Sequence, residues 1–183
     1  VVVDVGAHVG NYCKFFLETL DDSGKVYALE VHPINFNRLR KKYNLSDNVV
    51  LLNRAASNID GVEPVYHDGT RSHTHTTNII GKNSNGEPID NFKIGSVASI
   101  RLDTLLINET IIDLIKIDVE GAELKVLEGL SKIDDVLAIY NSSKPKNIKL
   151  PNIKFEKVDI STPDEILSFI DRNKKNLKNV TLI

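Results

Sequence analysis

Short runs of β-branched and aliphatic residues alternate along the chain with stretches in which apolar side chains recur at helical spacing. That alternation predicts a parallel sheet with helices on its faces. Val1 to Val5 reads as a first strand, and Asn11 to Leu20 as a helix whose Tyr12, Phe15, Phe16 and Leu20 share a face. The Asp21-Asp22-Ser23-Gly24 cluster is a turn. Lys25 to Glu30 follows as a second strand, Asn35 to Tyr43 as a helix with Phe36, Leu39 and Tyr43 on one side, and Asn48 to Leu52 as a third strand.

The regularity lapses between about Ala56 and Gly95, where Gly, Asn, Ser, Thr, Asp and His dominate. A structureless loop of that length is uncommon inside a compact domain unless it has a function. The segment reads as an antiparallel excursion, with Val62 to His67 and Gly95 to Leu102 as strands and His73 to Asn91 as a flexible tip. Glu63 within it reads as an ordinary carboxylate. Ile111 to Val119 is then a near-continuous apolar run, the pattern of a central strand buried on both faces. Ala122 to Leu130 predicts a helix and Val136 to Tyr140 a fifth strand. Near the end, Thr162 followed by Pro163, Asp164 and Glu165 is a helix start that runs to about Asn173, and Val180 to Ile183 reads as a last strand.

A chain of 183 residues, 41% hydrophobic and 26% charged, suits one domain with a substantial core. The net charge of -2 excludes a general polyanion-binding field, so no specific nucleic-acid partner is expected. From Asn141 onward nine Lys or Arg meet five Asp or Glu, which reads as a solvated basic face. The single Cys13 rules out an internal disulfide framework and suits a reducing, cytoplasmic setting. No run reaches the length of a membrane span. The chain has no Met and opens on a strand, so natural residues are expected to precede Val1. Nothing in the pattern sets an oligomeric state.

Three segments carry candidate chemistry. In Asp4-Val5-Gly6-Ala7-His8-Val9-Gly10, the glycines permit a tight turn and close approach of a ligand to the open N–H groups of a helix start. A dinucleotide turn has G-x-G-x-x-G; here His8 replaces the second glycine and the spacing is G-x-x-x-G, which argues against NAD. The turn suits a ligand without phosphate whose charged head is an amino acid, with Asp4 near its cationic end. A plain tight turn is the other reading. Glu30 ends the second strand twenty residues after Gly10, where α/β nucleotide sites place the acid that accepts hydrogen bonds from ribose hydroxyls. Arg54-Ala55-Ala56-Ser57, at the end of the third strand, opens on the same crevice and leaves room for an adenine. In Lys116-Ile117-Asp118-Val119-Glu120-Gly121, period-two geometry puts Lys116, Asp118 and Glu120 on one side. Charges closing a buried apolar run are rarely there for packing, because an unpaired buried charge is costly. Arg38, Arg40, Lys41 and Lys42 read as a solvated helix face, and Cys13 as a small packed residue.

Together these segments resemble the FkbM-like family of S-adenosylmethionine-dependent methyltransferases. The resemblance lies in VVDVGAHVGNY at 2–12, VYALEVHPINFNRL at 26–39, NRAASNIDG at 53–61, IRLDTLL at 100–106 and IDLIKIDVEGAELKVLEGL at 112–130. It departs from the family's pattern at His8, where Asn is common, at Val31, where Pro follows the strand-two acid, and after Tyr140. The resemblance implies an α/β class: a doubly wound, mostly parallel, Rossmann-like methyltransferase sheet of seven strands, interrupted by a polar insertion before the fourth parallel strand. It implies S-adenosyl-L-methionine as cofactor. Asp4, Gly6 and Gly10, with His8 in the same turn, would cradle the methionine half and Glu30 the ribose. His32 and Asn35 would lie at the adenosine rim, Ala55 beside the adenine, and Asp118 at the sulfonium end facing the acceptor.

The implied reaction is methyl transfer, most often to oxygen, on a small-molecule or glycan acceptor. A hydroxyl acceptor gains from a base, and His67, His73, His75 and Asp118 are of the right type. His73, His75, Asp68 and Asp118 could also converge on a metal, though no spacing fixes that geometry. Two other functions stay open: a cofactor-binding interaction module without catalysis, and, remotely, an NAD-dependent oxidoreductase.

Overall fold

A computed structural model describes residues 1–67, 77–82, 86–88, 93–132, 136–140, 151, 153–157, 168 and 179–182. The helix expected from Thr162 and the residues His73 and His75 lie outside the described residues.

Strands β1 (Val2–Val5), β2 (Val26–Leu29) and β3 (Val49–Leu52) alternate with helices α1 (Asn11–Thr19) and α2 (Pro33–Tyr43). After an excursion come α3 (Leu102–Leu105), β8 (Leu114–Ile117), α4 (Glu123–Glu128), β9 (Val136–Tyr140), β10 (Ile153–Lys157) and β11 (Asn179–Leu182). A seven-stranded sheet runs β10-β9-β11-β8-β1-β2-β3, with every pairing parallel. The doubly wound, Rossmann-like class is therefore correct. The last strand inserts between β8 and β9, a non-local placement that its own pattern does not reveal.

β1 sits centrally and is buried along its whole length. Its alternation explains why. Val3 and Val5 join Leu29, Ile115, Ile117, Val126 and Leu127 in one cluster, while Val2 joins Cys13, Phe16, Val26 and Leu39 in another. The expected central strand over Ile111 to Val119 is shorter, because Ile111 is 64% exposed before the chain enters the sheet.

The excursion is a second sheet, ordered β4-β7-β5-β6, from β4 (Ala55–Ala56), β5 (Gly61–His67), β6 (Thr77–Asn78) and β7 (Lys93–Ile100). β5 and β7 pair antiparallel as expected. Part of the expected flexible tip is ordered: Asn78 and Ile79 are buried, and the Asn78 side chain accepts from the N–H groups of Ile80 and Gly81 and donates to the Lys82 carbonyl.

The two sheets are tied by side chains. Arg101 donates to the Asn58 carbonyl at 2.7 Å, Asp103 at 2.7 Å and Ser131 at 2.9 Å, so the IRLDTLL segment is a structural clamp. Glu63 is buried and accepts from Lys125 at 2.9 Å and Ser57 at 2.6 Å. It is no ordinary surface carboxylate.

Candidate functional site

β2, β1 and β8 are neighbours in register, with Asp4 opposite both Ala28 and Lys116. Their carboxyl ends frame a cavity of about 310 Å³, at the small end of the range for small-molecule sites. Gly6, Ala7, His8, Glu30, Asn35, Ala55 and Asp118 line it. Asp4, Gly10 and His32 do not.

Gly6 adopts φ +80°, and a Cβ there would stand 1.9 Å from the Asp118 carbonyl oxygen. The turn after β1 therefore abuts the exit of β8, and this backbone approach alone requires glycine. Gly10 also has φ +82°, but a Cβ would meet Tyr43 at 2.5 Å and Leu39 at 2.6 Å. Its carbonyl accepts from the Tyr43 hydroxyl at 2.7 Å. Gly10 thus seats α1 on α2.

Glu30 is buried at the cavity wall, and its two carboxylate oxygens accept one backbone N–H each, from His8 and from His32, both at 2.8 Å. The Asn35 side chain also hydrogen-bonds this carboxylate. Burial pushes the Glu30 carboxyl above its ordinary range, although the His32 and His8 N–H groups pull the other way. His8 is itself held in the left-handed region, φ 51°. His32 serves α2 instead of the cavity: its Nδ1 accepts the Ile34 N–H at 3.2 Å as the N-cap, with Pro33 next.

Asp4 is wholly buried below the turn. One oxygen accepts from Lys116 Nζ at 3.1 Å and the other from Cys13 Sγ at 3.4 Å. Asp4 does not itself line the cavity; it anchors a lysine that does. Burial lowers the Lys116 pKa, but the charges of Asp4 and Asp118 and the Asp4 hydrogen bond outweigh it and the net shift is upward. Burial and the Asp4 charge push the Cys13 thiol far up, so it is no nucleophile.

β8 ends at Ile117, and Asp118 and Glu120 both line the cavity with Lys116. Asp118 is 67% exposed. Glu120 at φ 51° and Gly121 at φ 92° turn the chain into α4. Glu123 braces that turn by accepting from the Gly121 N–H at 3.1 Å.

Some site residues escaped the sequence. Asn53 fixes the exit of β2 by donating to the Glu30 carbonyl at 2.7 Å. Tyr12, assigned to helix packing, lines the cavity with Lys116 Nζ 4.9 Å from its ring centre. Asn78 and Ile79 form a wall from the second sheet. Buried, His67 lies on β5 and does not line the cavity. Among the described residues no group of three metal-ligating side chains occurs, and no helix is long and apolar enough to cross a membrane.

The chemistry of this donor set fits an adenosine-bearing ligand. A buried carboxylate on the cavity wall, an acceptor when ionised, suits hydroxyl donors such as those of a ribose, and Lys116, Asp118 and Glu120 line the same cavity.

A crystal structure of methyltransferase FkbM from Methylobacillus flagellatus KT is similar over 72% of this chain, at 18% identity and a TM-score of 0.44. The chain spans 28% of that protein. Among curated proteins none matches. The model of the methyltransferase FkbM domain matches residues 4–176, reaching well past the segment on which the resemblance rested. From that match over nearly its whole length, this chain belongs to the FkbM methyltransferase domain family.

Proposed function

We propose that the chain is an S-adenosyl-L-methionine-dependent methyltransferase domain acting on a hydroxyl of a small molecule or glycan. The observation that carries this reading is Glu30: a buried carboxylate, fixed by the His8 and His32 N–H groups, on the wall of a cavity at the carboxyl edge of a parallel sheet. When bound, the cofactor supplies an activated methyl group and its own leaving group. The protein's task is to align the acceptor and keep water out.

In this reading Glu30 accepts from the two ribose hydroxyls. Gly6, Ala7 and His8 border the amino-acid half, and Asn35 and Ala55 the adenosine. Asp118, exposed at the end of β8, faces the methyl group and the acceptor. The base that takes the acceptor's proton is Asp118, or else His73 or His75 of the insertion.

Calorimetry with S-adenosylhomocysteine and with NAD tests the donor assignment. Saturable binding of the first and none of the second is expected. Ligand at a hundred times its dissociation constant should stabilise the fold by about 2.7 kcal/mol. NAD binding without a response to S-adenosylhomocysteine would overturn it. Methyl transfer from labelled donor to a panel of hydroxyl compounds separates an enzyme from a binding module.

A further inference from the structure

Lys116 has no role in the reading above, yet it lines the cavity. Its Nζ donates to Asp4 at 3.1 Å and to the Gly6 carbonyl at 3.3 Å. Asp118 stands 3.7 Å away, beyond hydrogen-bond range. An ammonium has three N–H donors. Two are committed below the turn, and the third makes no hydrogen bond among the described residues. Asp4 holds the side chain in place, so little rotamer freedom is lost when a ligand takes that donor.

The opposite pole of the cavity is Glu30, bound to the N–H of His8. Along the chain only Ala7 separates His8 from Gly6, whose carbonyl holds Lys116. A molecule lying along this turn with its diol on Glu30 therefore meets an ammonium at its other end. Asp4, bonded to Lys116 and Cys13, is wholly buried and does not line the cavity, so it is Lys116 and not Asp4 that a ligand there would meet.

Resting on the S-adenosyl-L-methionine reading, we propose that Lys116 is the counter-ion of the carboxylate in the donor's amino-acid tail, with Asp118 left to face the donor's cationic groups. The exchange gives up a loose, solvent-screened Lys116–Asp118 pair, which contributes little. It gains a charge-assisted hydrogen bond within a partly enclosed cavity. Asp118 in turn gains the ammonium and sulfonium as neighbours, so no carboxylate is left without an opposite charge.

The test compares two ligands on one protein: S-adenosylhomocysteine, and 5′-S-(3-aminopropyl)-5′-thioadenosine, which lacks only the carboxylate. Calorimetry should show the wild-type chain preferring the first by roughly tenfold or more. In Lys116→Gln that preference should shrink to within about threefold. Because this variant leaves Asp4 without its cation, the Asp4→Asn/Lys116→Gln double variant, checked by thermal unfolding, provides the same comparison with a neutral floor. A structural role alone would weaken both ligands together and leave their ratio intact, so an unchanged preference in either folded variant overturns the proposal. Equal wild-type affinity for the two ligands overturns it too. If the wild-type chain binds neither, the donor assignment fails and Lys116 loses this role with it.

Discussion

Two buried carboxylates, each paired with a lysine in nearly equal geometry, sit in different regions of this molecule. At the exit of β1, Asp4 takes Lys116 at 3.1 Å; where α4 meets the second sheet, Glu63 takes Lys125 at 2.9 and 3.1 Å. Each carboxylate has a second side-chain partner, Cys13 in one case and Ser57 in the other. The regions differ in what lies beyond the lysine. Lys116 opens on the cavity, with Tyr12 and Asp118 beside it, whereas Lys125 bridges a helix to a sheet and does not line that cavity. A buried ion pair is thus no mark of a site, since fold-holding networks use the same chemistry. An ammonium with a donor to spare, facing an enclosed space, is the distinguishing feature.

The strongest way to break the comparison is through the glycine each region depends on. Gly6 would place a Cβ 1.9 Å from the Asp118 carbonyl oxygen at φ +80°, and Gly129 one 2.3 Å from the Ser57 carbonyl oxygen. Gly6→Ala should destabilise by about 3 kcal/mol or more, combining backbone strain with a clash that no rotamer relieves. Gly129→Ala, with ordinary φ, should cost somewhat less. Urea unfolding measures both, and a wild-type midpoint for Gly6→Ala would show that the β1 turn and the β8 exit are not in contact.

Next in size is Glu63→Ala. Removing a buried carboxylate that holds a lysine and a serine is costly, but Lys125 is one-third exposed and can return to water, so about 2 kcal/mol is expected. The affinity for S-adenosylhomocysteine should stay within about twofold at a temperature where the variant is folded. A parallel loss of ligand binding would place the second region within the site.

These pairs also show how far the sequence was legible. The parallel half was readable because its strands are apolar runs buried on both faces and its turns carry glycine. Gly6, Glu30 and Asp118 reach the cavity, as their positions at strand ends suggested. Burial of Asp4 was not readable, since what covers it comes from Lys116, 112 residues away, and from Cys13. Gly10's backbone was legible, whereas its neighbours Leu39 and Tyr43 were not. β4 is two alanines with no pattern of their own, and exists only because β7 pairs with it. Periodicity reports which face of an element is apolar, but long-range partners decide which polar group faces a ligand.

A third variant sharpens the comparison within the site region. Glu30→Ala removes an acceptor fixed by two backbone N–H groups, and should weaken S-adenosylhomocysteine by roughly 1.5 to 3 kcal/mol, or one to two decades. Asp47→Ala, at an exposed carboxylate before β3, is the proper control, because Glu63 serves the fold. Equal affinities for the two variants would make Glu30 a bystander.

The smallest expected effect is a pH dependence that belongs to one region alone. Burial raises the Glu30 pKa above its reference 4.5, opposed by the His32 and His8 N–H groups and supported by the charge of Asp4. In the window between 4.5 and the raised value the folded chain binds more protons at this group than the unfolded chain. Stability therefore falls as pH rises through that window, by at most about 1.4 kcal/mol per pH unit for one group. Ligand affinity runs the opposite way, because ribose hydroxyls donate and need the ionised carboxylate. Lowering the pH should weaken S-adenosylhomocysteine while an ordinary glutamate would still be charged, and Glu30→Gln should remove that dependence. Titrating both proteins by calorimetry from neutral pH down to about pH 5 measures it. If wild type and Glu30→Gln follow the same curve, protonation elsewhere controls binding and the Glu30 pole of the cavity is not where the diol sits.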